Sequence, residues 1–208
     1  LTKTFSSSGN RKTYTIAFWV KRSKVSTSSN QVLFSAATSG HTSNPNVNQI
    51  SFRPNDTLEF YQYPNSQESR LATAAVYRDV GAWMHCCFSV DTTQSTEADR
   101  VKIFVNGVQQ SVATHTDYPS QNHDSLFNKS EEHKIGEEAI RDRYNSDVLI
   151  SDFYFIDGTA LSTPVGNLIQ DTGYSSYKPK AFDMSSYSGN SFHLKFEDSS
   201  DIGSDSTS

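Results

Sequence analysis

The chemistry this sequence offers is concentrated on one short stretch. From Thr57 to Tyr63 apolar and polar residues alternate, so Leu58 and Phe60 fall on one face of a strand and Glu59, Tyr61 and Tyr63 on the other. On the strand before it Ile50 and Phe52 point to the same interior and Arg53 points away. Flat rings beside charged hydrogen-bonding groups suit a sugar, whose C–H face stacks while its hydroxyls are satisfied. The same face could equally pack against a loop or a neighbouring subunit. Tyr118 and Tyr144, in loops, are further candidates for the same work.

Groups for other chemistry are present but not arranged for it. The six histidines (His41, His85, His115, His123, His133, His193) are scattered, and no pair has metal-ligand spacing. No Ser or Cys stands in a nucleophile-elbow context. His85 lies in a Trp-x-His strand, where a hydrogen-bonded structural role is expected. Cys86 and Cys87 are adjacent, so a strand sends them to opposite faces as two small buried hydrophobes. That excludes a disulfide framework, which argues against a small secreted scaffold but not against a virion or cytoplasmic origin.

The elements that must position these residues are strands. Trp83 to Val90 alternates Met84, Cys86, Phe88 and Val90 against Trp83, His85, Cys87 and Ser89. Val101 to Val105 alternates likewise and meets Asn106-Gly107, which accepts the positive φ of a type I′ turn, so Val108 to Val112 is expected to return as its partner. Further strands are expected at Thr13 to Lys21, Gln31 to Ala37, Gln49 to Arg53, Leu71 to Tyr77, Val148 to Ile156 and Ser191 to Glu197. Pro54-Asn55-Asp56 joins two of them. Thr38 to Asn48 and Ser120 to Glu132 read as loops, and Leu161 to Gln170 as room for one short helical turn. About ten strands with almost no helix make an all-β, antiparallel two-sheet β-sandwich of jelly-roll type, with Phe18, Phe88, Ile103 and Phe155 inside.

Composition agrees. The chain has 208 residues, long enough for one such domain, and only 35% hydrophobic residues, as a thin core with many turns requires. A net charge of −5 without a basic cluster argues against nucleic acid. No apolar run is long enough for a membrane-spanning helix.

Four stretches carry a resemblance: Gly9 to Ser23 (G-N-R-K-T-Y-T-I-A-F-W-V-K-R-S), Trp83 to Thr93, Ala98 to Val108 (A-D-R-V-K-I-F-V-N-G-V) and Ile150 to Leu161 (I-S-D-F-Y-F-I-D-G-T-A-L). Together they resemble the laminin-G-like branch of the concanavalin A-like lectin/glucanase superfamily, and more narrowly modules of tail-fibre and other structural proteins of marine tailed phages. The resemblance implies a concanavalin A-like jelly roll over residues 1–197, with a first strand expected before Leu1. Residues 198–208 then form a polar tail or the start of a following module.

The resemblance also implies a function: a non-enzymatic carbohydrate-binding, host-recognition module of a phage virion appendage. Its expected partners are a host surface glycan and other virion subunits, and by analogy it forms a homotrimer. The alternative is a purely structural spacer or decoration domain. Glycanases of the superfamily carry Glu-x-Asp-x-x-Glu on one strand. Here Glu97-Ala98-Asp99-Arg100-Val101-Lys102 puts Lys102 in place of the second glutamate, so catalysis is not expected. Calcium stays open, with candidate oxygens at Asp198, Asp201 and Asp205 and at Asp142, Asn145 and Asp147, neither set matching a fixed ligand spacing.

Overall fold

Alternating segments with turn residues at their ends pair into sheets, and the computed structural model describes how for residues 1–38, 46–63, 68–115, 117–139, 144–174, 176–187 and 189–205. The strands among them are β1 (Thr2–Thr4), β2 (Thr13–Arg22), β3 (Gln31–Ala37), β4 (Val47–Phe52), β5 (Thr57–Tyr63), β6 (Ser69–Val76), β7 (Met84–Asp91) and β8 (Val101–Val105). They continue with β9 (Val108–Gln109), β10 (Val112–His115), β11 (Glu132–Ile135), β12 (Val148–Asp157), β13 (Ile169–Asp171), β14 (Tyr177–Pro179) and β15 (Phe192–Leu194). Among the described residues the helical content is the single turn Glu97–Asp99.

Two antiparallel sheets face each other. One has seven strands in the order β1-β11-β3-β4-β5-β6-β10, the other six in the order β15-β12-β2-β7-β8-β9, and β13-β14 stands apart. The inward residues of both sheets make an aromatic core. Phe18, Phe88 and Phe155 are wholly buried and Ile103 nearly so, as alternation requires. Phe18 and Phe153 stack with centroids 5.4 Å apart, and Phe34 and Phe127 at 5.0 Å. Each such side chain contributes about 1.5–3 kcal/mol by burial.

A second apolar layer lies outside the six-stranded sheet, where Leu161, Leu168 and Met184 cover Ala17, Cys87, Phe104, Tyr154 and Ile156. This is why both cysteines are fully buried although they point opposite ways: Cys86 belongs to the inner core and Cys87 to the outer layer. Both are free thiols, and burial pushes both pKa values well above the usual range, which keeps them unreactive.

The structure corrects several boundaries. The return strand after Asn106-Gly107 pairs only Val108 and Gln109 with Val105 and Phe104; the chain then crosses to the seven-stranded sheet, where Val112 pairs with Thr73. Crossing lets Val112 pack against the main core, whereas Val108 stays exposed on the rim. The last strand stops at Leu194, and Phe196 beyond it has φ 60°, outside strand geometry. In place of a helical turn after Leu161, the Pro164 carbonyl accepts from the amides of Asn167, Leu168 and Ile169 and leads into β13. Of the loop expected from Thr38 to Asn48, Val47 and Asn48 belong to β4, and residues 39–45 lie outside the described set.

Candidate functional site

The turn at Pro54-Asn55-Asp56 sets the register of β4 against β5, and that register builds the outer face of the seven-stranded sheet. Arg53 N–H donates to the Thr57 carbonyl at 2.9 Å and Asp56 N–H to the Arg53 carbonyl at 2.8 Å. Ser51 therefore stands opposite Glu59, Gln49 opposite Tyr61, and Val47 opposite Tyr63. β6 extends two of these rows, with Ala72 beside Glu59 and Arg70 beside Tyr61. Cross-strand neighbours on one face lie within side-chain reach, so Gln49, Tyr61 and Arg70 form one polar and aromatic row.

Glu59 occupies the expected face but not the expected role. It is wholly buried rather than open to a ligand, with Oε2 3.3 Å from Arg53 Nε and 3.5 Å from Arg70 Nε, while Ser51 Oγ donates to Oε1 at 3.4 Å. The carboxylate thus serves the two arginines, and Arg70 pairs in addition with Glu68 at 2.9 Å. Burial pushes its pKa upward, against the pull of Arg70, Arg53 and Ser51. The Arg70 guanidinium in turn lies over the Tyr61 ring, 5.0 Å from its centroid. Tyr61 and Tyr63 stack with centroids 6.3 Å apart and 3° between their planes, and both are half-buried against Ala37, Val47 and Ala139.

Tyr61, Arg70 and Gln49 line a groove of about 380 Å³, whose far side is made by Asn30, Glu138 and Tyr144. Of the six residues singled out in the sequence, the structure brings Tyr61 and Tyr144 into this groove. Tyr63 stacks beside Tyr61, while Arg53 and Glu59 lie behind it as an ion pair. Tyr118 is elsewhere: it packs on the main core and lines a separate cavity of about 160 Å³ with Gln62 and His123. Arg70, Gln49 and Glu138 were not anticipated. Gln49 was within reach, because the hairpin turn fixes its pairing with Tyr61. Arg70 depends on the register of a second hairpin, and Glu138 arrives from a distant loop with no local signal.

The arrangement suits binding. Arg70 and Gln49 supply donors next to a ring, and Glu138 and Tyr144 add a carboxylate and a hydroxyl to the lining of the groove. Glu97 and Asp99 lie exposed on the helical turn, and Asp99 pairs with Lys102 at 3.1 Å. His85 is buried edge-on to Trp19 at 5.4 Å, and its Nδ1 makes no hydrogen bond, contrary to the expectation for this residue. Its link to the fold runs through the backbone, where its N–H donates to Asn106 Oδ1 at 2.8 Å. Burial lowers the ring pKa to about 3 and keeps it neutral.

Three of the candidate calcium ligands are engaged within the fold. Asp198 accepts from the Ser200 hydroxyl at 2.6 Å, Asp205 from the His193 amide at 3.0 Å, and Asp147 pairs with Lys24 at 2.7 Å. Asp142 lies outside the described residues. Among the described residues no three His, Cys, Asp or Glu side chains gather as a metal site, and no helix is long and apolar enough to cross a membrane.

No curated protein matches the chain. Among solved structures it resembles the NanB sialidase of Streptococcus pneumoniae, with a TM-score of 0.56 and 14% identity over 82% of this chain and 29% of the sialidase. It also resembles a heptameric SAP-like pentraxin of Limulus polyphemus, with a TM-score of 0.50 and 17% identity over 76% of this chain and 70% of the pentraxin. A third likeness is the CBM40 of a Ruminococcus gnavus IT-sialidase, with a TM-score of 0.50 and 12% identity over 78% and 94% of the two chains. At these identities the likeness is one of fold. A family profile of laminin-G type, described as the concanavalin A-like lectin/glucanases superfamily, matches residues 2–163. Spanning both sheets of the sandwich, that match places the chain in the concanavalin A-like lectin/glucanase superfamily.

Proposed function

We propose that this chain is a non-enzymatic, lectin-like module that binds carbohydrate in the groove at Tyr61. The observation that carries the reading is the Glu59–Arg70–Tyr61 stack: buried Glu59, together with Glu68 at 2.9 Å, holds a guanidinium over an aromatic ring at the wall of an open groove. A donor fixed in advance beside a flat apolar surface lowers the ordering cost of binding a polyol. The resemblance of Gly9 to Ser23 and Ala98 to Val108 to phage tail-fibre modules extends the reading. On that basis the module sits on a virion appendage outside the cell, meets a host surface glycan, contacts other virion subunits and assembles as a homotrimer. Calcium is proposed only as a loop ligand that would modulate binding.

A glycan array probed with the chain, in calcium and in chelator, tests this. Specific binding that the Tyr61→Ala, Tyr63→Ala double variant loses, with no hydrolysis of the bound glycan, is expected. Equal binding by that variant ends the proposal for this groove, and release of cleaved sugar ends the non-enzymatic reading. A second reading, an architectural spacer, is favoured by Val76, Val80 and Trp83, which are exposed along the connection from β6 to β7. Burial of that connection against another virion subunit, with no glycan bound, would establish it.

A further inference from the structure

The six-stranded sheet carries a separate cavity on its own outer face, on the opposite side of the sandwich from Tyr61. It measures about 420 Å³, within the range of roughly 300–1,000 Å³ usual for small-molecule sites. The backbone feature that builds it is a bulge in β12. Ser151 pairs with Trp19 and Tyr154 with Ala17, so Asp152 and Phe153 together oppose Phe18. Asp152 is held at φ 48°, a left-handed conformation that costs a non-glycine residue free energy and clusters at functional positions. The bulge gives the outer face an extra side chain without turning Phe153 or Phe155 out of the core.

The groups around Asp152 form a connected set. His193 Nε2 lies 3.2 Å from Asp152 Oδ1, and the Ser151 hydroxyl donates to Oδ2 at 3.1 Å. The His193 ring stacks flat on Tyr154, with centroids 3.8 Å apart at 10°. Phe182 meets Tyr154 edge-on at 6.1 Å, completing an aromatic wall. The hydrogen bond from His193 leads the effects that hold the Asp152 carboxyl below its ordinary pKa, so it is an anion at neutral pH.

The charges at the mouth decide what fits. Asp152, Asp183 and Glu197 are acidic, while Lys180 and Lys195 are basic. A cation would meet two ammonium groups and an anion three carboxylates. A neutral polyol is favoured by the same mixture, because each hydroxyl both donates and accepts and can use either sign. Tyr154 is itself buried beneath His193, so the apolar surface left for a sugar ring to stack on is that of the half-buried Phe182.

We propose that this cavity is a second saccharide site, taking one neutral pyranose residue against Phe182, with its hydroxyls on Asp152, Glu197 and Lys195. It stands independently of the groove at Tyr61, and the module would thus hold glycan on both faces.

Amide chemical shifts of the whole chain, titrated with neutral methyl pyranosides, test the two faces separately. Methyl α-D-glucopyranoside, methyl α-D-mannopyranoside and methyl β-D-galactopyranoside serve as probes, with glucosamine and glucuronate as cationic and anionic counterparts. At least one neutral probe is expected to move the amides of Asp152, Tyr154, Phe182 and His193 and to bind more tightly than both charged sugars. Asp152→Asn keeps a residue type that tolerates φ > 0 and should weaken that binding about tenfold, the loss expected for a hydrogen bond to a charged group. Tyr61→Ala should leave these shifts intact, so failure of one face does not decide the other. Should Asp152→Asn not fold, the exposed Lys195→Ala carries the same expectation. The proposal is overturned if no neutral probe moves these amides, if a charged sugar binds more tightly, or if the folded variant binds as the parent does.

Discussion

Arg22 Nη1 lies 3.0 Å from Asp56 Oδ1, and both side chains are wholly withdrawn from solvent. Asp56 sits in the turn between β4 and β5, and it also accepts from Ser26 N–H at 2.7 Å and Arg78 Nε at 2.8 Å. Arg22 reaches it from the end of β2, crossing the Phe52 ring at 4.3 Å and donating to Gln31 Oε1 at 2.8 Å. One carboxylate thus ties the binding-face hairpin to the opposite sheet. Asp56→Ala leaves the guanidinium buried without its counter-ion, and such a loss typically costs about 3–5 kcal/mol. A shift in the urea midpoint of that size, at unchanged slope, is the expected result; a shift near zero would show that the pair contributes nothing.

The two buried carboxylates of this region should respond to pH with opposite signs. Burial alone would raise the pKa of Asp56, but the hydrogen bonds from Ser26, Arg78 and Arg22 outweigh it and bring it from 3.8 to about 2. Its contribution to stability is therefore complete above the ordinary value and lost as pH falls through about 2. Glu59 is shifted the other way by burial. Its folded state binds the proton more tightly than the unfolded chain, so this contribution is present at low pH and lost as pH rises through the raised value. Stability-versus-pH curves of Asp56→Asn and Glu59→Gln, each subtracted from the parent, should slope in opposite directions. Parallel difference curves would refute the assignment.

Gly9 is required by close approach. A Cβ built there falls 2.2 Å from Asp157 Oδ2 and 2.6 Å from the Asn128 side chain. Asp157 cannot easily swing away, because Oδ1 accepts from Asn10 N–H at 2.8 Å and Asn128 Nδ2 at 2.6 Å, while Oδ2 accepts from Asn190 N–H at 3.0 Å. Gly9→Ala should destabilise by about 1–3 kcal/mol, the usual range for overpacking. Asp157→Ala, Gly9→Ala should cost less than the sum of the two single changes, and strict additivity would argue that the clash is not with Asp157.

What the sequence made legible follows from how far a residue's signal travels. Leu58, Phe60, Phe18 and Phe88 announce their faces through period-two alternation, which is local, and the long strands lie where that pattern stands. β1, β13 and β14 are three residues each and β9 two, too short for any period to register. The outer layer of Leu161, Leu168 and Met184 was invisible for the same reason, since their partner positions Ala17 and Cys87 lie far away in sequence. At the groove, the two tyrosines were readable from one strand. Burial of Glu59 was not, because it depends on Arg70 arriving from β6.

Gly107 illustrates both halves of that division. Asn106 and Gly107 have φ 46° and 76°, the tight turn expected from the dipeptide. Yet a Cβ on Gly107 would also lie 2.5 Å from Val165 Cγ2 and 3.2 Å from the Tyr177 ring, a contact no local pattern announces. Gly107→Ala should therefore cost about 2 kcal/mol or more, combining the left-handed penalty with overpacking. Val165→Ala in the same chain should recover part of it. No recovery would assign the whole cost to the backbone.

Glu59→Gln separates the positioning of Arg70 from the integrity of the sheet. Gln keeps the size of Glu59 and removes a desolvated charge, so stability at neutral pH should stay level or rise. The Oε2 that lies between Arg53 and Arg70 accepts no well-formed hydrogen bond, so little is lost on that count. Without the carboxylate Glu68 remains as a counter-charge, its Oε1 2.9 Å from Arg70 Nε, but the pull toward the buried side of the sheet is gone and the donor over the Tyr61 ring is held less firmly. Glycan binding in the groove, measured by calorimetry with the strongest array ligand, should weaken about three- to tenfold, or about 0.7–1.4 kcal/mol. A drop in binding with stability maintained marks Glu59 as a positioning residue. Unchanged binding would mean that Glu68 and the Tyr61 ring hold Arg70 in place without Glu59, and that the buried carboxylate does not organise the groove.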